Sequence, residues 1–372
     1  MWNEPIHVVG SGSIGLLWTA SIRSRYPKFP ITLLLRDSDR NRKRVASALK
    51  IGRLGSNNSL DISWNHNREF PKQKQRISLP VQFIRDARHN QDSIQTLVVA
   101  TKAHQARNAV ESILDRLLLP AINDDPNQDF TLSSSTKQII ILCNGALSVR
   151  EELNKLLVAH ASVLSTTGSR VSVALATTTH GAYRSEPDTL VHAGYGTSFL
   201  ESQLGAESSQ TNSMVELWNR AGLNCTPLTS QQMNAMLWNK LAANCVINPL
   251  TSLFRCKNGE LLQEPSFSNL KEQVLIEVAS VAQTVARIDS SATVPTLEEM
   301  RAFVDQTIHD TQDNKSSMYQ DVVEGNATQT EIEHLNGYVV RKGTELGVDC
   351  PESERLCSEI VALTTQNAAR TL

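Results

Sequence analysis

The sequence has no apolar run approaching the roughly 18–20 residues that a helix needs to cross a bilayer, so no membrane partner is expected. Nor does it carry a surplus of either charge: 36 Lys plus Arg stand against 38 Asp plus Glu, a formal net charge of -2. Such a balance argues against a dedicated nucleic-acid binder or a polybasic membrane binder. Glycine (17) and proline (13) are modest and no repeat is present, which excludes collagen, coiled coil and long disordered polymers. The six cysteines, Cys143, Cys225, Cys245, Cys256, Cys350 and Cys357, form no CxxC pair. Several sit in apolar runs, where Cys behaves as a small hydrophobe, so neither a disulfide framework nor a metal site is expected. Met1-Trp2-Asn3-Glu4-Pro5 is not an Arg-rich presequence, and a strand expected from Ile6 leaves no room for a cleavable targeting segment. The expected compartment is reducing and cytoplasmic.

What is present is a globular balance: 40% hydrophobic and 20% charged residues, with a mean hydropathy of -0.26. A length of 372 residues, at roughly 100–200 per domain, favours two domains. Short β-branched runs at 6–10, 31–35, 96–100 and 138–143 alternate with helical patterns at 14–22, 103–118 and 148–158. That order predicts an α/β, doubly wound parallel sheet. Residues 170–179 and 188–193 read as extended segments separated by a turn, an antiparallel addition. Two stretches interrupt the pattern, 52–80 and 121–137, rich in Asn, Ser, Lys, Asp or Pro, and both read as polar surface insertions. From about 229 the pattern is helical to the end. The expected division is therefore an N-terminal sheet domain, 1–228, and an all-α C-terminal domain, 229–372.

Gly10-Ser11-Gly12-Ser13-Ile14-Gly15 fits GxGxxG directly after the first expected strand and at the start of a helix. In that context Gly10 serves a tight turn, Gly12 lets the backbone approach a pyrophosphate, and Gly15 lets helix and strand pack closely. The free N–H groups of the helix N-terminus favour the anion. The same glycines would also serve a plain structural turn. About 20 residues on, at the end of the second strand, stands Arg36, followed by Asp37 and then Arg40, Arg42, Lys43 and Arg44. An arginine suits the 2′-phosphate of NADP, whereas an acid would accept from the 2′-hydroxyl of NAD, so NADP is favoured. A solvated basic helix face is the plainer alternative.

Residues 229–250 predict a largely buried helix, with Thr229 and Gln232 as a capping box and Pro249 bending or ending it. On this apolar background Lys240, Asn244 and Asn248 recur every four residues and share one face. A lone lysine is usually solvated, but buried amides and an ammonium need polar partners, which a substrate can provide.

Lys240-Leu241-Ala242-Ala243-Asn244-Cys245-Val246-Ile247-Asn248-Pro249-Leu250-Thr251, with Asn258-Gly259 after it, resembles the signature of the ketopantoate reductase family. Ser316-Ser317-Met318-Tyr319-Gln320-Asp321, Thr330-Glu331-Ile332-Glu333 and Asn336-Gly337 resemble its second hallmark. Thr101-Lys102-Ala103, Asn144-Gly145, Thr179-His180-Gly181-Ala182 and His192-Ala193-Gly194-Tyr195-Gly196 match weaker motifs. The resemblance spans about residues 6–356 apart from the two insertions; Cys143 and Ala146-Leu147 depart from the pattern around Asn144. It implies a Rossmann-type domain followed by a helical one, and reduction of 2-dehydropantoate to pantoate with NADPH. It implies Lys240 as general acid, Glu331 as an assisting acid, Asn244, Asn248 and Ser317 as substrate ligands, and Asn258 as support for the pocket. On the cofactor side it implies Arg36 at the 2′-phosphate, with Lys102 and Asn144 nearby. The partner is then a small-molecule 2-keto acid, with a homodimer left open. Two other readings stay open: a reductase of another branched 2-keto acid, and a non-catalytic NADPH-binding protein on the same fold.

Overall fold

The computed structural model describes residues 2, 4–38, 41–42, 45, 59–65, 75–84, 92–119, 136–167, 170–186, 189–202, 207–290, 292–325 and 329–370. The chain forms two compact units, Met1–Thr229 and Ser230–Leu372.

The first unit is built on an eleven-stranded mixed sheet with strands β1 Ile6–Val9, β2 Ile31–Leu35, β3 Ser59–Asn65, β4 Gln75–Phe83, β5 Thr96–Val99, β6 Thr136–Ile141, β7 Arg170–Thr178, β8 Gly181–Glu186, β9 Thr189–Gly194, β10 Ser198–Glu201 and β11 Cys225–Leu228. Its helices are α1 Ser13–Arg25, α2 Ala103–Glu111, α3 Leu114–Leu118, α4 Ala146–Ala159, α5 Ala161–Thr167 and α6 Glu207–Arg220. Six strands in the order β4-β2-β1-β5-β6-β7 pair in parallel, which is the dinucleotide-fold order 3-2-1-4-5-6. Register is even across the centre, with Ile6 opposite both Ile31 and Thr96. Strands β1 and β5 are buried along their whole length, as a sheet covered on both faces requires.

The segment 52–80 is not simply an insertion. Its residues 59–65 and 75–80 lie in β3 and β4, an antiparallel pair with Ile62 opposite Ile77 and Leu60 opposite Leu79. Ile62, Ile77, Leu79 and Val81 are buried, so the period-2 apolar positions decide the outcome against the polar composition. The remainder of that stretch lies outside the described residues. Of 121–137, residues 136–137 open β6, and the others lie outside the described residues. The antiparallel addition is β8 with β9; β7 itself pairs in parallel with β6 and antiparallel with β10. Strand β9 pairs with β3, which extends the sheet beyond β4.

Helix α1 packs against β4, β8 and β9 and touches α6. Trp18 on α1 meets Trp218 edge-on at 5.5 Å between ring centroids and His180 at 6.1 Å, within one buried cluster that includes Leu16, Leu17, Leu200 and Leu223.

The second unit is helical throughout its described residues: α7 Ser230–Phe254, α8 Phe267–Ile288, α9 Leu297–Asp310, α10 Ser317–Val322, α11 Asn336–Leu346 and α12 Pro351–Arg370, with short 3-10 turns at Gly259–Gln263 and Ile332–His334. Helix α7 is the centre of this unit, packed by α8, α9, α10 and α12. That explains its nearly all-round apolar surface. The proline at 249 neither ends α7 nor shortens it, since the helix runs five residues further. Elsewhere local rules hold: Thr296 and Glu299 form a reciprocal capping box at the start of α9, and the buried Glu277 carboxylate accepts from the N–H groups of Glu352 and Ser353 at the start of α12. Among the described residues no helix is long and apolar enough to cross a membrane, and no group of three or more metal-binding side chains is assembled.

Candidate functional site

The glycine loop sits where β1 ends. Gly10 adopts φ +117°, and a side-chain carbon there would lie 2.4 Å from the carbonyl oxygen of Ala100, the residue after the neighbouring β5. The same carbon at Gly15 would lie 1.9 Å from the Gly10 carbonyl oxygen, so α1 can approach β1 only without one. Gly12 differs: a carbon built there meets nothing within 4 Å. The first and third glycines are thus required by the protein's own packing, whereas the second leaves open space at the N-terminus of α1. Gly12 carries no side chain to cap that helix, while Ser11, Ser13 and Ile14 are half-buried beside it. Backbone N–H groups facing open space suit a pyrophosphate.

Two further sequence-predicted residues stand at the same end of the sheet. Lys102 follows β5 as the residue before α2, and Asn144 follows β6 just before Gly145, whose φ of +65° turns the chain into α4. Both are half-buried. The carboxyl ends of β1, β5 and β6 are adjacent, and the reversal of strand order lies between β1 and β5, where ligands bind in open α/β sheets. Thr101 Oγ1, at the end of β5, is buried with no hydrogen-bond partner among the described residues. A bound polar group would satisfy it.

Arg36 lies exposed immediately after β2, its Nη2 donating to Gln105 Oε1 at 3.3 Å. Asp37 is held differently. Both of its oxygens accept from Arg42, Nε at 2.5 Å and Nη2 at 2.6 Å. The acid that could have served a ribose hydroxyl is therefore engaged by a bidentate partner, and Arg42 spends its charge on Asp37. Arg40, Lys43 and Arg44 lie outside the described residues. These features fit a nicotinamide dinucleotide with a 2′-phosphate.

In the second unit Lys240, Asn244 and Asn248 rise along one stripe of α7. Lys240 and Asn244 are half-buried and Asn248 is buried. Cys245, next to Asn244, is no rival nucleophile: burial pushes its thiol well above the ordinary range. Two contacts fasten other candidate segments to this helix. Thr251 Oγ1 lies 2.7 Å from Ser316 Oγ, and Ser316 also accepts from the Tyr319 N–H at 3.0 Å as the cap of α10. Ser316 is thus a structural pin that places Ser317 in the first turn of α10. Asn336 Nδ2 donates to the Cys245 carbonyl at 3.1 Å.

Asn258 lies just beyond the end of α7. Its Nδ2 donates to Thr311 Oγ1 at 2.8 Å and its backbone N–H to the Asn314 carbonyl at 3.0 Å, while its buried Oδ1 has no partner among the described residues. Glu331 is buried just ahead of the Ile332–His334 turn. Sequence reasoning assigned no task to Thr251, Thr311 or Asn336. The signal available for Asn336 was Pro249, a proline inside a helix that has to continue.

The family model described as "Ketopantoate reductase PanE/ApbA" matches residues 6–203, and that described as "Ketopantoate reductase PanE/ApbA C terminal" matches 232–364. A 2-dehydropantoate 2-reductase of Vibrio cholerae is 37% identical over 195 residues, 51% of this chain and 60% of that enzyme. One from Yersinia pestis is 30% identical over 267 residues, 70% of this chain and 72% of that enzyme. A solved ketopantoate reductase-family structure from Ralstonia eutropha superposes with a TM-score of 0.72 at 16% identity, covering 98% of this chain and 99% of that one. A D-mandelate dehydrogenase solved with NADH and anilino(oxo)acetate gives 0.71 at 17% identity, with the same coverage of both chains.

Proposed function

The chain belongs to the ketopantoate reductase family, and from that premise we propose that it is a 2-dehydropantoate 2-reductase using NADPH. The observation that carries the reading is the Lys240, Asn244, Asn248 stripe, three polar groups at four-residue spacing, partly or wholly buried on the central helix of the second unit. Polar groups on one face of such a helix can hydrogen-bond a polar ligand.

When bound, the reduced nicotinamide supplies a hydride to the C2 carbon of the ketone. Every other task falls to the chain. The Lys240 ammonium faces the negative charge that develops on the ketone oxygen, stabilises it, and then delivers a proton from Nζ to yield the alcohol. Asn244 and Asn248 hydrogen-bond the substrate hydroxyl and carbonyl groups, Ser317 receives the carboxylate, and Asn258 supports the pocket. Glu331 assists binding or proton handling. The Gly10–Gly15 loop receives the pyrophosphate, Arg36 the 2′-phosphate, and Lys102 and Asn144 the remainder of the cofactor.

The test is NADPH oxidation followed by absorbance with 2-dehydropantoate and a panel of other 2-keto acids, repeated with NADH. Highest kcat/KM for 2-dehydropantoate with NADPH supports the reading. A purified, folded chain that oxidises NADPH with none of these acids overturns it. Arg36→Ala should weaken NADPH binding about 10–100-fold and leave NADH nearly unaffected, as expected for losing a charge-assisted contact to phosphate.

A further inference from the structure

A proline inside a helix withholds the N–H that the carbonyl four residues earlier would accept. In α7 that proline is Pro249 and the deprived carbonyl is that of Cys245. Its replacement donor comes from 91 positions away in the sequence: Asn336 Nδ2, at 3.1 Å. Asn336 is fully buried, 0% exposed, at the start of α11. Burying a primary amide is costly unless it bonds, and only half of this one does so. Its Oδ1 has no partner among the described residues.

The place of this bond along α7 is what gives it meaning. Lys240 and Asn244 precede Cys245, whereas Asn248 follows it. The gap in the helix ladder therefore falls inside the candidate stripe, and such gaps are where helices bend. The next turn is also braced by side chains: Thr251 Oγ1 donates to the Ile247 carbonyl at 2.7 Å, and Ser252 Oγ to the Asn248 carbonyl at 2.8 Å.

We propose that Asn336 is a positioning residue for the keto-acid site: by donating to the carbonyl that Pro249 deprives, it fixes Asn248 relative to Lys240 and Asn244. The inference rests on the function proposed above. Asn336 touches no reacting atom; it acts through the backbone of α7, and small displacements of ligand-holding groups carry large rate penalties.

The experiment is a cycle of Asn336→Leu, which keeps the volume but cannot donate, and Pro249→Ala, which returns an N–H to the helix. Asn336→Leu should raise KM for 2-dehydropantoate about 10-fold or more, the equivalent of one well-placed hydrogen bond, and leave the dissociation constant for NADPH unchanged. Pro249→Ala alone should resemble the parent, because the Cys245 carbonyl can accept from both donors. The double variant should recover most of the lost affinity and most of any lost thermal stability. Recovery of folding by Pro249→Ala, should Asn336→Leu alone be insoluble, supports the proposal equally. A parental KM in Asn336→Leu, or a double variant no better than that single one, overturns it. A parent chain inert toward every 2-keto acid overturns the proposed function and this inference with it; an active parent whose cycle shows no coupling overturns the inference alone.

Discussion

At the scale of single residues, the three glycines of the first loop differ in what holds them. Gly15→Ala drives a carbon into the Gly10 carbonyl and must push α1 off β1, so thermal unfolding should shift by the equivalent of about 1–3 kcal/mol or more. Gly12→Ala meets no protein atom within 4 Å. Its unfolding midpoint should match the parent while NADPH titration by fluorescence shows weakened binding. Equal loss of stability in both variants would mean that Gly12 serves only the turn. Lys240→Ala should lower kcat about 10²–10⁴-fold with cofactor affinity retained, since in the proposed function it removes both the stabilising charge and the proton donor. The glycine pattern could be read from the sequence because turn, helix start and spacing are all local. The task of Asn336 could not, because its partner carbonyl is 91 positions away and belongs to the backbone.

Among elements, the buried strands β1, β2, β5 and β6 announce themselves as short β-branched runs. The β3–β4 pair does not, since Asn, Ser, Lys and Arg outweigh the alternating Ile62, Ile77, Leu79 and Val81 that decide its pairing. Helix α7 raised the opposite problem, because the proline rule holds for an isolated helix and fails where a neighbour replaces the missing donor. A related device closes α3. Lys137, fully buried at the start of β6, donates to the Leu117 carbonyl and to Ser93 Oγ, each at 2.9 Å, and to the Leu119 carbonyl. Lys137→Met leaves these acceptors without the ammonium and should cost about 1–3 kcal/mol in denaturant unfolding. Burial lowers the Lys137 ammonium from its ordinary 10.5 to about 8. The folded chain therefore binds fewer protons than the unfolded chain between those values, and this residue's contribution to stability rises with pH across that window. The parent minus Lys137→Met difference should show that rise.

For the molecule as a whole, the buried thiols favour the folded state less as the solution turns alkaline. Burial pushes Cys225, Cys350 and Cys357 up to about 12 and Cys256 to about 11, against an ordinary 9. The folded chain keeps these protons above pH 9 while the unfolded chain releases them. The stability they contribute is complete below pH 9 and is lost as pH climbs through 11–12. Circular dichroism against pH should show unfolding in that range. Three of these four thiols belong to the helical unit, so its signal should fall first; a sheet unit that melts earlier would refute this ordering. The shift in pattern near residue 229 is legible in the sequence, but the joining of β9 to β3 is not, because pairing between distant segments leaves no local trace. That joining has a consequence for the order of synthesis. Helix α1 is synthesised before the segments that enclose it: Trp18 packs against His180 and Trp218, and β11 joins the sheet only at 225–228. The packing that holds the Gly10–Gly15 loop and α1 in place is thus completed only after some two hundred further residues have been added.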